Sequence, residues 1–142
     1  MSVESTSIMT AAAGPAAILV VEDETLIRLL ASDSLRDEGF DVVTAASAAD
    51  AIAVLESGDR VDFVFTDVTM PGAMNGIGLV NWIRIHRPGL PVAVTSGISR
   101  LRLAELGLGD DDTYFAKPVD FALLVRHIRS VVAVNRQPQA PA

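Results

Sequence analysis

Val61-Asp62-Phe63-Val64-Phe65-Thr66-Asp67-Val68-Thr69-Met70-Pro71 opens as a run of Val and Phe and closes on a carboxylate and a proline. A short run so rich in β-branched and aromatic residues fits a strand buried on both faces, the usual state of strands in a parallel sheet. Asp67 stands where that strand ends, and Pro71-Gly72 breaks the chain just beyond. In open parallel α/β sheets, ligands bind at the carboxyl ends of the strands. An Asp after a strand is also a common helix cap or turn former, so alone it says little. Three other stretches point to the same rim.

Upstream, Ala17 to Val21 (AILVV) is a short apolar strand with Glu22-Asp23-Glu24 at its carboxyl end. Thr25 to Glu38 carries Leu26, Ile27, Leu29, Leu30, Ser34 and Leu35 near helical spacing, and Gly39 stops it. Phe40 to Ala45 is a second strand. Ser47 caps a helix from Ala48 to Ser57, and Gly58-Asp59 leads into the third strand, Val61 to Thr66. Downstream, Gly76 to His86 reads as a helix broken by Pro88-Gly89. Pro91 to Thr95 (PVAVT) is a fourth strand that leaves the sheet at Ser96-Gly97, and Ile98 to Leu106 is a weaker, short helical segment. Thr113 to Ala116 (TYFA) is a fifth strand ending at Lys117-Pro118. Asp120 caps the last helix, Phe121 to Val134, apolar at Phe121, Leu124, Val125, Ile128, Val131 and Val132. This alternation predicts an α/β fold: a five-stranded parallel sheet, doubly wound by five helices, in the flavodoxin-like order 2-1-3-4-5.

The length of 142 residues suggests one domain, and half of them are apolar, enough for a normal core. The absence of cysteine excludes disulfides and thiolate metal sites and fits a reducing, cytoplasmic setting. A net charge of −7 argues against a nucleic-acid surface and against a polybasic membrane anchor. Residues 1–16 read as a flexible leader, 17–134 as the domain and 135–142 as a frayed tail. The first cation is Arg28, so there is no basic secretory n-region. Ile8 to Val21 is too short and broken to span a bilayer. His86 and His127 lack zinc-like spacing and are expected at the surface or at helix ends.

In the predicted strand order the rim gathers Glu22 and Asp23, Asp67, Thr95 and Ser96, and Lys117. Crowded carboxylates repel, and a hard divalent cation such as Mg²⁺ relieves that repulsion. One Asp can then act as a nucleophile toward phosphorus, with a hydroxyl and an ammonium holding the phosphoryl oxygens. Lys117 is the only lysine among eleven cationic side chains, and it falls on this rim. Pro118 after it holds the residue extended and permits a cis bond.

AILVVEDE, VDFVFTDVTMPG, PVAVTSG and YFAKP, in that order, resemble the receiver domain of bacterial two-component response regulators across Ala17 to Val134. The resemblance implies that Asp67 is the phosphoacceptor, that Asp23 ligates Mg²⁺ directly, and that Glu22 acts mostly through water. It implies that Thr69 gives its backbone carbonyl to the metal, that Thr95 is the switch hydroxyl, and that Lys117 pairs with the phosphoryl group beside a cis bond to Pro118. It casts Tyr114 as an aromatic switch; the alternative is a half-buried edge-strand aromatic. The loop from Pro71 to Gly76 is one residue longer than in the simplest receivers, with Asn75 where Asp is common, and Ser96 stands where Ala often follows the switch residue.

The expected protein is a stand-alone receiver, monomeric or weakly dimeric. It takes a phosphoryl group from a histidine kinase or phosphotransfer protein and either passes the signal through the face of the fourth helix, fifth strand and last helix or acts as a phosphorelay intermediate or sink. It catalyses only its own phosphorylation and dephosphorylation. The alternatives are an unphosphorylated pseudo-receiver and an Asp-nucleophile, Mg²⁺-dependent phosphatase. Thr69 argues against the latter, because such phosphatases usually carry a second Asp at that spacing.

Overall fold

The computed structural model describes residues 14–70 and 72–136. The expected leader up to residue 13, Pro71 of the loop, and the expected tail beyond residue 136 lie outside the described residues. Five strands, β1 (Ala17–Val21), β2 (Asp41–Ala45), β3 (Phe63–Asp67), β4 (Val92–Ser96) and β5 (Thr113–Ala116), form one parallel sheet in the order β2-β1-β3-β4-β5. Between and after them run α1 (Thr25–Asp37), α2 (Ala48–Glu56), α3 (Gly76–His86), α4 (Arg100–Glu105) and α5 (Phe121–Arg136). The expected fold class stands, with element ends shifted by one or two residues. Among the described residues no helix is long and apolar enough to cross a membrane.

β1 and β3 are buried at every position, as their continuous apolar runs require of strands covered on both faces. Side chains alternate along each strand, so the two strands feed two cores. Ile18, Val20, Phe63 and Phe65 meet Ala31 and Leu35 of α1 and Leu124, Val125, Ile128 and Val132 of α5. Leu19, Val21 and Val64 meet Ala51 and Leu55 of α2 and Leu79 and Ile83 of α3. A smaller cluster around Val94, Ile77, Val80 and Leu103 seats α4. The edge strands β2 and β5 are only partly covered.

Local chemistry fixes the element ends. The Ser47 hydroxyl accepts the Asp50 N–H, the Asn75 side chain accepts the Gly78 N–H, and Asp120 accepts the N–H groups of Ala122 and Leu123. Gly39 ends α1 at φ 94°, a left-handed conformation that favours glycine. Ala16, placed by sequence in the leader, is already buried in the core.

Two expectations are corrected. Leu26, Leu29 and Leu30 of α1 are 80 %, 51 % and 61 % exposed; the helix buries Ala31, Ser32 and Leu35 instead. Ser32 is tolerated inside because its hydroxyl donates to the Arg28 carbonyl at 2.7 Å. His127, expected at the surface or at a helix end, is half-buried in the middle of α5. Its ring packs edge-on against Phe63 and Phe115, at 5.8 and 5.7 Å between centroids. His86 is exposed at the end of α3, stacked on Trp82.

Candidate functional site: an acidic pocket paired with a lysine

The switch in winding direction between β1 and β3 opens the sheet's carboxyl rim, and register aligns what stands there. Val21 pairs with Thr66, Asp67 with Thr95, and Thr95 with Phe115. Glu22, the last buried residue of the β1 exit, therefore lies beside Asp67, while Asp23 turns outward to solvent. Ligand oxygens of Glu22, Asp23 and Asp67 all lie within 4.8 Å of one another. An all-oxygen set of this size, half open to water, suits a small hard cation such as Mg²⁺.

Both oxygens of Asp67 are engaged. Oδ2 accepts from the Lys117 ammonium at 2.9 Å, and Oδ1 accepts from the Thr69 N–H at 3.2 Å. Lys117 also lies 3.7 Å from Glu22 Oε1. The Lys117-Pro118 peptide is cis, and the Lys117 N–H donates to the Ser96 carbonyl. Thr95, in contrast, donates its hydroxyl hydrogen to the Phe115 carbonyl at 2.7 Å, toward β5. The half-buried Tyr114 hydroxyl lies 2.7 Å from the Ile98 carbonyl and 3.2 Å from that of Ser96, so it holds the turn after β4.

Burial pushes the Glu22 carboxyl up to about 7. The hydrogen bond from the Glu24 N–H works against that shift, and the neighbouring charge of Asp67 adds to it. Lys117 loses some hydration to burial, which opposes its charge. Its hydrogen bond and attraction to Asp67, with Glu22 and Glu24 behind, outweigh that and hold it above the usual lysine range. The pocket thus carries more carboxylate than one lysine neutralises.

Two residues that sequence reasoning passed over shape the pocket. Arg28 Nη1 donates to the Glu22 carbonyl at 2.7 Å and lies 3.4 Å from the Asp23 carbonyl. Gly76 starts α3 directly against the acceptor strand: a Cβ there would overlap the Asp67 carbonyl oxygen and come within 2.8 Å of the Val68 Cα. The sequence signal for Gly76 was its place between the Asn75 cap and the first apolar residue of the helix. Arg28 carried none beyond a cation one turn into α1.

Fold and pocket together define a small α/β domain built to hold charge at one rim. The family profile described as "Response regulator receiver domain" matches residues 18–129. The chain belongs to that family and is a receiver of two-component signalling. It is 34% identical over 120 residues to the probable transcriptional regulatory protein TcrX of Mycobacterium tuberculosis, covering 83% of this chain and 50% of TcrX. It is 34% identical over 128 residues to the DNA-binding transcriptional regulator NtrC of Rhizobium meliloti, covering 87% of this chain and 25% of NtrC. The chain thus spans half or less of these two relatives. Among solved structures it resembles a response regulator receiver protein from Sinorhizobium medicae (29% identity, TM-score 0.76, 87% of this chain and 98% of that one). A receiver domain protein from Clostridium thermocellum is similar (27%, TM-score 0.77, 85% and 97%). The match is to a signalling domain rather than to an ordinary enzyme, and the pseudo-receiver and phosphatase alternatives are not favoured.

Proposed function

We propose that Asp67 is the phosphoacceptor of this receiver. The observation that carries this is the 2.9 Å contact of Lys117 with Asp67 inside the cluster of Glu22, Asp23 and Asp67. An Asp67 oxygen attacks the phosphorus of a phosphohistidine on a kinase or phosphotransfer protein. The new O–P bond forms as the P–N bond breaks, and the electron pair leaves on the imidazole nitrogen, which takes up a proton. Later a water oxygen attacks the same phosphorus and the carboxylate is released with inorganic phosphate. Mg²⁺ would be held by Asp23 and Asp67 directly, Glu22 through water and the Thr69 carbonyl, and would neutralise charge on the phosphoryl oxygens. Lys117, already aimed at Asp67, holds a phosphoryl oxygen as a point charge.

Phosphorylation adds charge and acceptor oxygens at the rim. Thr95 is the group that responds: it exchanges the Phe115 carbonyl for a phosphoryl oxygen and frees that stretch of β5. Tyr114, on the neighbouring pair of carbonyls, couples this change to the turn before α4. The signal leaves through α4, β5 and α5, where Leu101, Leu106 and Leu123 are exposed. The exposed leucines of α1, beside the rim, offer the phosphodonor an apolar face. The net charge of −7 leaves nucleic acid and anionic membranes outside this domain's own partners. The domain works in the cytoplasm as residues 17–134, alone or as a weak dimer.

Intact mass after incubation with Mg²⁺ and acetyl phosphate tests the proposal. One base-labile phosphoryl group is expected, lost in Asp67→Asn and without Mg²⁺. Labelling that survives in Asp67→Asn would refute the acceptor assignment. If the chain takes no label from acetyl phosphate and none from a phosphorylated histidine kinase, it is not a phosphoacceptor at all.

A further inference from the structure

We infer that Arg28 is a positioning residue for the metal site, acting through the backbone of the acidic pair; this rests on the Mg²⁺ reading above. Arg28 sits in the first turn of α1, where a cation opposes the helix dipole. Arg28 follows the acidic run Glu22-Asp23-Glu24 in the chain, yet among the described residues it forms no ion pair. Its guanidinium reaches back along the chain instead. It donates to the Glu22 carbonyl at 2.7 Å and lies within 3.4 Å of that of Asp23.

Those two carbonyls belong to the two residues whose carboxylates face Asp67. The turn between β1 and α1 has few other holds. The Glu22 N–H donates to the Ala45 carbonyl, and the Glu24 N–H donates to the Glu22 carboxylate itself. That second bond ties the backbone to one of the site's own carboxylates, so it restrains the turn only while Glu22 keeps its orientation. Arg28 adds a hold on the carbonyl side of the turn, where the Ala45 carbonyl of β2 holds only the Glu22 N–H. Its own carbonyl is tied to the buried Ser32 hydroxyl, which roots it in α1. A rigid platform set by a supporting residue is what lets ligand oxygens converge without reorganising when the cation arrives.

Two effects of Arg28 on a divalent cation have opposite sign. Its charge repels the metal; its hydrogen bonds arrange the ligands. The guanidinium is spread over a planar fork and faces carbonyl oxygens, in a partly hydrated position where Coulomb repulsion is screened. A charge-assisted hydrogen bond is among the stronger single contacts, and the ordering it provides is lost entirely without the donor. The positioning effect therefore wins.

The test measures Mg²⁺ affinity directly, on unphosphorylated protein, by titrating Mg²⁺ alone and following the backbone amide shifts of Glu24 and Thr69. Arg28→Met keeps the apolar stem and removes charge and donors. It is expected to weaken Mg²⁺ about tenfold, and Arg28→Lys to recover part of that, staying about threefold weaker than the unaltered chain. In metal-free protein, amide exchange at Glu24 quickens in Arg28→Met. Arg36→Met serves as the control: it removes the same charge and donors from the far end of α1, where the guanidinium meets the Val42 carbonyl, and leaves the Mg²⁺ affinity in place. An affinity that is unchanged or tighter in Arg28→Met overturns the inference, since a charge acting alone would tighten binding. Should Arg28→Met fail to fold, an affinity in Arg28→Lys equal to that of the unaltered chain overturns it. If the unaltered chain shows no Mg²⁺-dependent shift, the metal reading itself fails, and with it this inference.

Discussion

Gly76 and Glu22 show how single residues set the pocket's terms. At Gly76 any side chain would collide with the Asp67 carbonyl, which is backbone and cannot swing aside. Gly76→Ala is therefore expected to lower the unfolding free energy by about 1–3 kcal/mol. It should also slow labelling of Asp67 by about 100-fold, since a misplacement near 1 Å costs that much. At Gly78 the added Cβ runs into the flexible end of the Met74 side chain and makes only an ordinary 3.8 Å contact with Asn75 Oδ1, so Gly78→Ala leaves the labelling rate in place. Denaturant melts and labelling time courses of the two variants check the contrast. Glu22 governs pH behaviour. Its carboxyl is raised from 4.5 in the unfolded chain to about 7 in the fold, so the folded state holds the proton more tightly. Its contribution to stability is complete below pH 4.5 and is lost as pH rises through about 7. His127, lowered by burial, works with the opposite sign: its contribution is present above its unfolded value and is lost as pH falls through the lowered one. Subtracting the Glu22→Gln melting curve from that of the metal-free unaltered chain isolates the Glu22 slope. Saturating Mg²⁺, which competes with the proton, flattens it.

Among the described elements, α1 exposes the most large apolar side chains: Leu26, Ile27, Leu29 and Leu30. Leu26, Leu29 and Leu30 face out while Ala31, Ser32 and Leu35 face in, because the β1 and β3 side chains Ile18, Val20 and Phe65 already fill much of the space beneath. The exposed face continues past Ile27 and Leu30 into a groove of about 490 Å³ lined by Lys117, Pro118, Val119 and Phe121. Contiguous apolar surface at the lip of a reactive pocket marks a docking face. Replacing Leu26 and Leu29 with Gln is expected to change stability by within about 0.5 kcal/mol each. Phosphotransfer from a phosphohistidine protein should fall at least about tenfold, while labelling by acetyl phosphate is unchanged. Parallel assays with the two donors separate docking from chemistry. Equal loss with both donors would place these leucines in the pocket's own architecture instead.

Across the whole molecule, the sheet divides the interior into two layers that share strands but not helices. Leu79 of α3 lies in one layer and Leu124 of α5 in the other, both fully buried. Each truncation to Ala is expected to cost about 2–5 kcal/mol, and with no shared partner the costs add. A domain of this size has about 5–15 kcal/mol in all, so the double variant should be largely unfolded at 25 °C where each single one is folded. Urea melts of the three proteins check both the magnitude and the additivity.

The amino-acid sequence by itself determined the order of elements, because the period of its apolar runs and its Gly, Pro and capping residues are local properties. It also determined the chemistry of the rim: Glu22, Asp23, Asp67, Thr95 and Lys117 each follow or end an apolar strand, and parallel strands bring such ends together. Only the tertiary structure decided what depends on contacts between distant segments. That α1 buries Ala31, Ser32 and Leu35 rather than Leu26, Leu29 and Leu30 depends on how far β1 and β3 fill the layer below. His127 is half-buried because Phe63 and Phe115, far from it in the chain, leave an edge for its ring. Gly76 matters through a backbone it meets only after β3 and α3 pack. Which carbonyls Arg28 grips depends on the path of the turn after β1. Spacing along a chain reports which face of an element a residue occupies; what covers that face is set by the rest of the fold.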